Sequence, residues 1–359
     1  MAFDVIIVGA GVIGGSIAWR LAQGGLRVAL LDAARMGAEA SSAGAGMLAP
    51  GGEIESRSPW NDFALESLRL YADFVLELES ATGCPIDYRR SGAVEIALTD
   101  EEWSALKARA RVQAGLGIPS CPFSRDEVPL LRTEVAGGLF YPEDALVDPR
   151  DLMSALRVAC ERSGVEIREG IRVIEIRPKA DSVQVISSAK VLEAGAAVLA
   201  AGAWSSLIAA GGVRLPRAFP VRGHLMGFQL EPGSLGPILR RGHTYLLQRA
   251  GGFTVAGTSS EDVGFDRHLD PQILADIHQR AAELVPALSS RTADERWLGF
   301  RPGIEADGPA IGRAGQTALW LAYGHYRNGI LMAPATAARV GAEIMSSWEK
   351  GWSVPRDTR

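Results

Sequence analysis

The chain's first patterned stretch, Asp4-Val5-Ile6-Ile7-Val8, is β-branched and unbroken by polar alternation. A run of this kind predicts a strand covered on both faces, as in a parallel sheet. From Ser16 to Ala22 the spacing changes to helical, with Ile17, Ala18 and Leu21 on one face and Gly24-Gly25 ending the helix. Val28–Leu31 predicts a second strand, finishing at Asp32. Further along, a helix is predicted from Asn61 to Leu78. Val165–Ile167 and Arg172–Ile176 read as a strand pair, Ala196–Ala201 as a buried strand running into Gly202, and Ala318–Ala322 as another strand. Gly329 and Pro334 bracket a helix start, and Ile330 to Met345 continues with helical periodicity.

Between the first strand and helix stands Gly9-Ala10-Gly11-Val12-Ile13-Gly14. Strand, glycines, helix, strand and acid follow one another in the order of a dinucleotide-binding βαβ unit. Gly9 allows the tight turn, Gly11 lets backbone approach a pyrophosphate, and Gly14 lets the helix pack close to the strand. The amino end of the helix, with Val12 and Ile13, offers N–H groups and a positive dipole end to phosphates. An acid at position 32 accepts ribose hydroxyls, which favours FAD or NAD over a 2′-phosphorylated cofactor. The segment from Gly37 to Leu48 is then dominated by small residues. Ser41 and Ser42 supply donors, while Ala45, Gly46 and Met47 permit close backbone approach to a large ligand.

Composition excludes several classes. The 359 residues are 47% hydrophobic and 22% charged, the pattern of an ordinary globular protein long enough for two domains. A net charge of -5 lacks the basic footprint of a nucleic-acid binder. Cys84, Cys121 and Cys160 are odd in number and widely spaced, which argues against a disulfide framework. The five histidines form no metal-binding spacing, so no metal is expected. No apolar stretch reaches the roughly 18–20 residues of a membrane span, and the amino terminus lacks a basic signal region; a cytoplasmic protein is expected.

The segments Gly324-His325-Tyr326-Arg327-Asn328-Gly329-Ile330-Leu331, Trp297-Leu298-Gly299-Phe300-Arg301-Pro302-Gly303, Asp307-Gly308-Pro309 and Gly257-Thr258-Ser259-Ser260-Glu261 resemble the D-amino-acid-oxidase-like flavoproteins. Within that family they resemble the glycine oxidases of thiamin biosynthesis (ThiO-like). The resemblance covers nearly the whole chain and is loosest at about residues 100–140. It implies an α/β fold in which a Rossmann-like FAD-binding domain (1–88, 147–218 and 302–359) is interleaved with a mixed-sheet α+β substrate domain (89–146 and 219–301). It further implies FAD contacts at Val173, Ala201 and Gly202, and at Arg327, Asn328, Gly329, Ile330 and Leu331, where a helix terminus faces the flavin. Relatives that bind flavin covalently use a cysteine in the carboxy-terminal part. All three cysteines here precede position 161, so noncovalent FAD is expected.

The implied reaction is oxidation of glycine or another small amino acid or amine by hydride transfer to flavin N5. Its products are an imino acid or glyoxylate, ammonia and, with O2 as acceptor, H2O2; the imino acid can also feed thiazole synthesis. An arginine fork is the natural carboxylate anchor. The resemblance gives that role to Arg301, with Tyr245 as second carboxylate contact and Arg327 near both substrate and flavin. His243 maps to the pocket wall, read as a half-buried strand residue. Ser260 stands where some glycine oxidases carry a larger apolar residue, which makes the pocket wider or more polar, and Gln248 replaces a proline of some relatives. No general base is assigned. Open alternatives are D-amino acids or a secondary amine such as sarcosine or proline as substrate, a quinone or carrier as electron acceptor, and a flavin-bound interaction protein without turnover. A homo-oligomer is left open.

Overall fold

The computed structural model describes residues 3–349; positions 1–2 and 350–359 of the expected FAD-binding segments lie outside them. The strand Phe3–Val8 is buried at every position after Phe3. It pairs in parallel with Val28–Leu31 on one side and Val191–Leu199 on the other. Glu166–Arg168 extends the sheet beyond Val28–Leu31, and Leu319–Tyr323 joins Val191–Leu199 in parallel. Burial on both faces explains the unbroken apolar runs. The helix Val12–Gln23 and the helix Gly329–Glu349 pack together on one face through Ile17, Leu21, Val340 and Ile344.

Two expectations require correction. The segments near 165 and 172 do not pair with each other. Glu166–Arg168 lies at one end of the sheet order, and Val173–Pro178 at the other, antiparallel to Val183–Ser187. Periodicity reports which face is apolar and is silent on the partner strand, so the pairing was not legible.

Pro334 lies inside the carboxy-terminal helix rather than bracketing its start. The helix tolerates it because Ser67, on the facing helix Pro59–Thr82, enters the loosened turn. Its hydroxyl donates to the Leu331 carbonyl (2.7 Å) and accepts the Ala335 N–H (3.2 Å). The Pro59–Thr82 helix itself runs longer than expected. Ser58 caps it by accepting the Asn61 N–H, Pro59 starts it, and Gly83 ends it at φ 69°.

A second eight-stranded sheet runs in the order Glu295–Ile304, Ala218–Gln229, Phe253–Gly257, Thr244–Gln248, Ile238–Arg241, Ala93–Ala97, Gly137–Tyr141, Cys121–Pro122. Its pairings are antiparallel except that of Ile238–Arg241 with Ala93–Ala97. The helix Pro271–Leu284 covers one face, burying Leu274, Ile277, Ala281 and Leu284 against Phe228, Leu246 and Ala256. Among the described residues no helix is long and apolar enough to cross a membrane.

Candidate active site

A cavity of about 1650 Å³ lies between the two sheets. One wall is formed where the parallel strands end, at Gly9, Asp32, Ala201 and Gly324. In an open parallel sheet this is where ligands bind. The other wall belongs to the second sheet and carries Tyr245, Ser260 and Arg301.

Gly9 has φ 106°, and a Cβ there would sit 2.3 Å from the Ala200 carbonyl oxygen. A Cβ on Gly14 would come within 1.9 Å of the Gly9 oxygen. Gly14 therefore works by packing; it does not line the cavity, and neither do Ser42 and Leu331. Leu331 is 2% exposed and belongs to the core, because the helical turn that presents Gly329 and Ile330 to the cavity directs the next residue inward. Ser42 is held in a short turn, its N–H donating toward the Gly37 and Glu39 carbonyls.

The Asp32 carboxylate accepts the Ala10 N–H (2.7 Å) on one oxygen and the Ala34 N–H (2.8 Å) on the other. Burial raises its pKa, and those two N–H groups pull it back. Each oxygen retains capacity for a ribose hydroxyl. Ser41 Oγ accepts the Val12 N–H (2.9 Å), so one N–H of the helix terminus is already taken, while the hydroxyl keeps its own hydrogen to donate.

On the opposite wall Arg301 leaves its strand toward Gly223. A Cβ there would lie 2.3 Å from Arg301 Nη1, so the glycine is the space the guanidinium occupies. Arg301 Nη2 donates to Thr258 Oγ1 (2.8 Å) and Nη1 to the Ser259 carbonyl (3.1 Å). Among the described residues no carboxylate lies within 4 Å of it. The Tyr245 ring covers its cross-strand partner Gly257. Burial raises the Tyr245 pKa, with the Arg301 charge and the Thr258 hydroxyl opposing, so the phenol is a neutral donor beside a cation.

Behind Arg301 lies a polar network that no motif spacing announced. Arg222, 4% exposed, pairs with Glu261 and Asp266. His224 is fully buried. Its Nε2 receives the Asp270 N–H (3.1 Å), and its Nδ1 lies 2.9 Å from Glu261. Ser259 Oγ donates to the same carboxylate at 2.6 Å. Burial raises the Glu261 pKa, but the donors Ser259, Arg222 and His224 outweigh it and hold the group below the usual range. The network fixes the loop whose carbonyl and hydroxyl hold Arg301.

Arg327 is exposed at the cavity, and its Nε lies 3.2 Å from Glu53 Oε1. His243 also lines the cavity, but it is an exposed turn residue rather than a half-buried strand one. The strand begins one residue later, at Thr244, because Gly242 (φ 55°) makes the turn. Ser260 is exposed at the same wall, and Val173, Ala201, Gly202 and Asn328 line the cavity. Gln248 is buried and hydrogen-bonds to Glu231, Ser234, Gly252 and Thr254. No cluster suited to a metal ion occurs among the described residues.

His325 is buried, 3.1 Å from Thr336 Oγ1, and burial lowers its pKa to about 3. Unfolded, the ring takes a proton near its ordinary value of about 6.5. Its contribution is therefore complete above that pH and is lost as pH falls from there toward 3. The slope is at most about 1.4 kcal/mol per pH unit. Asp144, raised to about 6 chiefly by burial, works in the opposite sense, so the comparison must be between variants. His325→Gln is expected to flatten the fall in thermal midpoint between pH 7 and pH 5. Parallel profiles for the two proteins would refute this.

A glycine turn under a helix terminus and an acid on the next strand, with an arginine–tyrosine wall across the same cavity, have the layout of a dinucleotide-dependent oxidoreductase. The residues fit FAD. The Gly9–Gly11 turn leaves backbone room, Asp32 keeps free acceptor capacity, and Gly46, whose Cβ would meet the Val147 carbonyl at 1.9 Å, carries backbone along the same cavity.

The comparisons agree. The family model described as FAD dependent oxidoreductase (DAO) matches residues 4–343. The glycine oxidase of Geobacillus kaustophilus is 32% identical, over 98% of this chain and 95% of its own. A crystal structure of glycine oxidase from that organism is 31% identical, with a TM-score of 0.89 and coverage of 96% and 95% of the two chains. The bifunctional protein ThiO/ThiG of Synechocystis is 35% identical over 95% of this chain, and the chain spans 51% of its length. This chain belongs to the DAO family of FAD-dependent oxidoreductases, among its glycine-oxidase-like amino acid oxidases.

Proposed function

We propose that this chain oxidises glycine or another small amino acid to the imino acid. The product hydrolyses to the oxo acid and ammonia or passes to thiazole synthesis. The observation that carries the reading is Arg301, a guanidinium without an acidic partner among the described residues, set beside a neutral Tyr245 in the cavity that begins at the Gly9–Gly14 turn. Bound FAD supplies the two-electron acceptor, with O2 accepting the electrons in turn and leaving as H2O2. In this reading the parallel sheet belongs to the FAD-binding domain and the second sheet to the substrate domain, with the boundaries given above. None of the three cysteines lines the cavity, which supports noncovalent FAD.

The protein's part is positioning. Arg301 takes the substrate carboxylate through its fork, and the Tyr245 hydroxyl donates a further hydrogen bond while keeping its proton. With the carboxylate fixed, the amine and Cα have a single orientation toward the cofactor wall. Arg327 supports the flavin edge from the turn Tyr326–Asn328. A secondary amine is the second reading, favoured by the small, exposed Ser260, which leaves room beside the amine.

The test is anaerobic mixing of the purified yellow protein with glycine, sarcosine, D-alanine and D-proline, followed by air. Bleaching by glycine with rapid recovery and peroxide is expected. Slow recovery would point to a quinone or carrier as acceptor. A yellow protein that none of these bleaches would overturn the assignment.

A further inference from the structure

The arginines of the cavity are not alike. Arg109 pairs with Glu95, Arg240 with Glu95 and Asp144, Arg241 with Glu102 and Glu283, Arg267 with Glu39, and Arg327 with Glu53. Arg172, exposed beside Val173, lies at the Gly9 end. Among the described residues, that leaves two cavity guanidinium groups braced on Thr258 without an acid within 4 Å. One is Arg301. The other is Arg280 on the helix Pro271–Leu284, whose Ile273, Asp276 and Arg280 face the cavity at helical spacing.

Arg280 and Arg301 are braced on the same residue. Arg280 Nη2 donates to the Thr258 carbonyl (3.1 Å), while Arg301 Nη2 donates to the Thr258 hydroxyl (2.8 Å). Arg280 Nε donates to Thr244 Oγ1 (3.1 Å). Its Nη1 has no acceptor among the described residues. Asp276, one turn back, accepts the Gln272 amide at 2.9 Å and does not come within ion-pair distance of Arg280. Two guanidinium groups donating to the same threonine in a partly closed cavity repel each other, and an anion reaching both relieves the repulsion. A guanidinium that served only as a brace would be better placed with an acid beside it, as the paired arginines are.

We propose that Arg280 is a second carboxylate anchor, and that the preferred substrates are small amines carrying two carboxylates: one on Arg301 and Tyr245, the other on Arg280. This rests on the amino acid oxidase reading and narrows its substrate class. Ser260, small and exposed on the same wall, leaves the room that a second carboxylate arm needs.

The experiment compares matched pairs with the FAD-loaded protein: N-methylglycine against N-carboxymethylglycine, and D-alanine against D-aspartate. A second readout is independent of turnover, the flavin difference spectrum on titration with acetate or malonate. We expect kcat/KM to be about 10-fold or more higher for the dicarboxylate of at least one pair, and malonate to bind more tightly than acetate by a similar factor. Arg280→Met should reduce both ratios about 10- to 100-fold, and Arg280→Lys should restore part of each. Equal losses for both members of each pair, with the ratios unchanged, would make Arg280 a brace and overturn the proposal. If no amine bleaches the flavin, the oxidase reading fails. The malonate-to-acetate ratio in wild type and Arg280→Met then still decides whether the anchor exists.

Discussion

Replacing Arg301 by methionine should lower kcat/KM for the best amino acid roughly 10²- to 10³-fold while the protein stays yellow. Methionine retains an apolar stem of similar length and removes the fork. Two charge-assisted hydrogen bonds to a carboxylate contribute about 1.5–3 kcal/mol each. The loss should fall on both KM and kcat, because the carboxylate is the handle that orients Cα. FAD content should hold, since among the described residues the hydrogen bonds of Arg301 go to Thr258, Ser259 and Arg222, on the side of the second sheet. The measurements are steady-state kinetics with flavin absorbance on the same preparations. Unchanged kinetics would remove Arg301 from the site. A colourless variant would mean that it supports the cofactor instead.

Gly14→Ala should abolish FAD binding and cost about 3 kcal/mol or more of stability. The added Cβ would stand 1.9 Å from the Gly9 carbonyl oxygen, and Gly9 is itself pressed against the Ala200 backbone. Neither side can yield, so the helix must move off the turn that meets the pyrophosphate. Gly15→Ala is the internal control. Its Cβ would meet Leu156 Cδ2 and Met36 Cε, each at 2.8 Å, and Leu156 Cγ at 3.3 Å, all on side chains and not on backbone. That change should keep FAD and shift stability by less than about 1 kcal/mol, helped by alanine's better helix propensity. Flavin-to-protein absorbance ratios and thermal midpoints check both. Equal behaviour of the two variants would show that the close helix–strand approach is not what the glycine serves.

Taken alone, the sequence determined the local elements and the order of the dinucleotide turn. Val5 to Val8, the glycines and Asp32 obey rules that act within about 30 residues: burial on two faces, backbone room, a helix dipole and an acid at a strand end. The segment holding Arg301 was legible as well, through its resemblance to known flavoproteins. What the tertiary structure alone decided involves partners far apart in the chain. Periodicity placed a strand at Arg172–Ile176, but not its position at the sheet edge opposite Glu166–Arg168. It marked Pro334 as a helix boundary, because the hydroxyl that lets the helix continue comes from Ser67, 264 residues from the Leu331 carbonyl to which it donates. The sequence pattern singled out neither Arg280 nor its helix. That no acid among the described residues pairs with Arg280 emerges only where that helix crosses Thr244 and Thr258, since a charge's energy depends on what surrounds it in space and not on its neighbours in the chain.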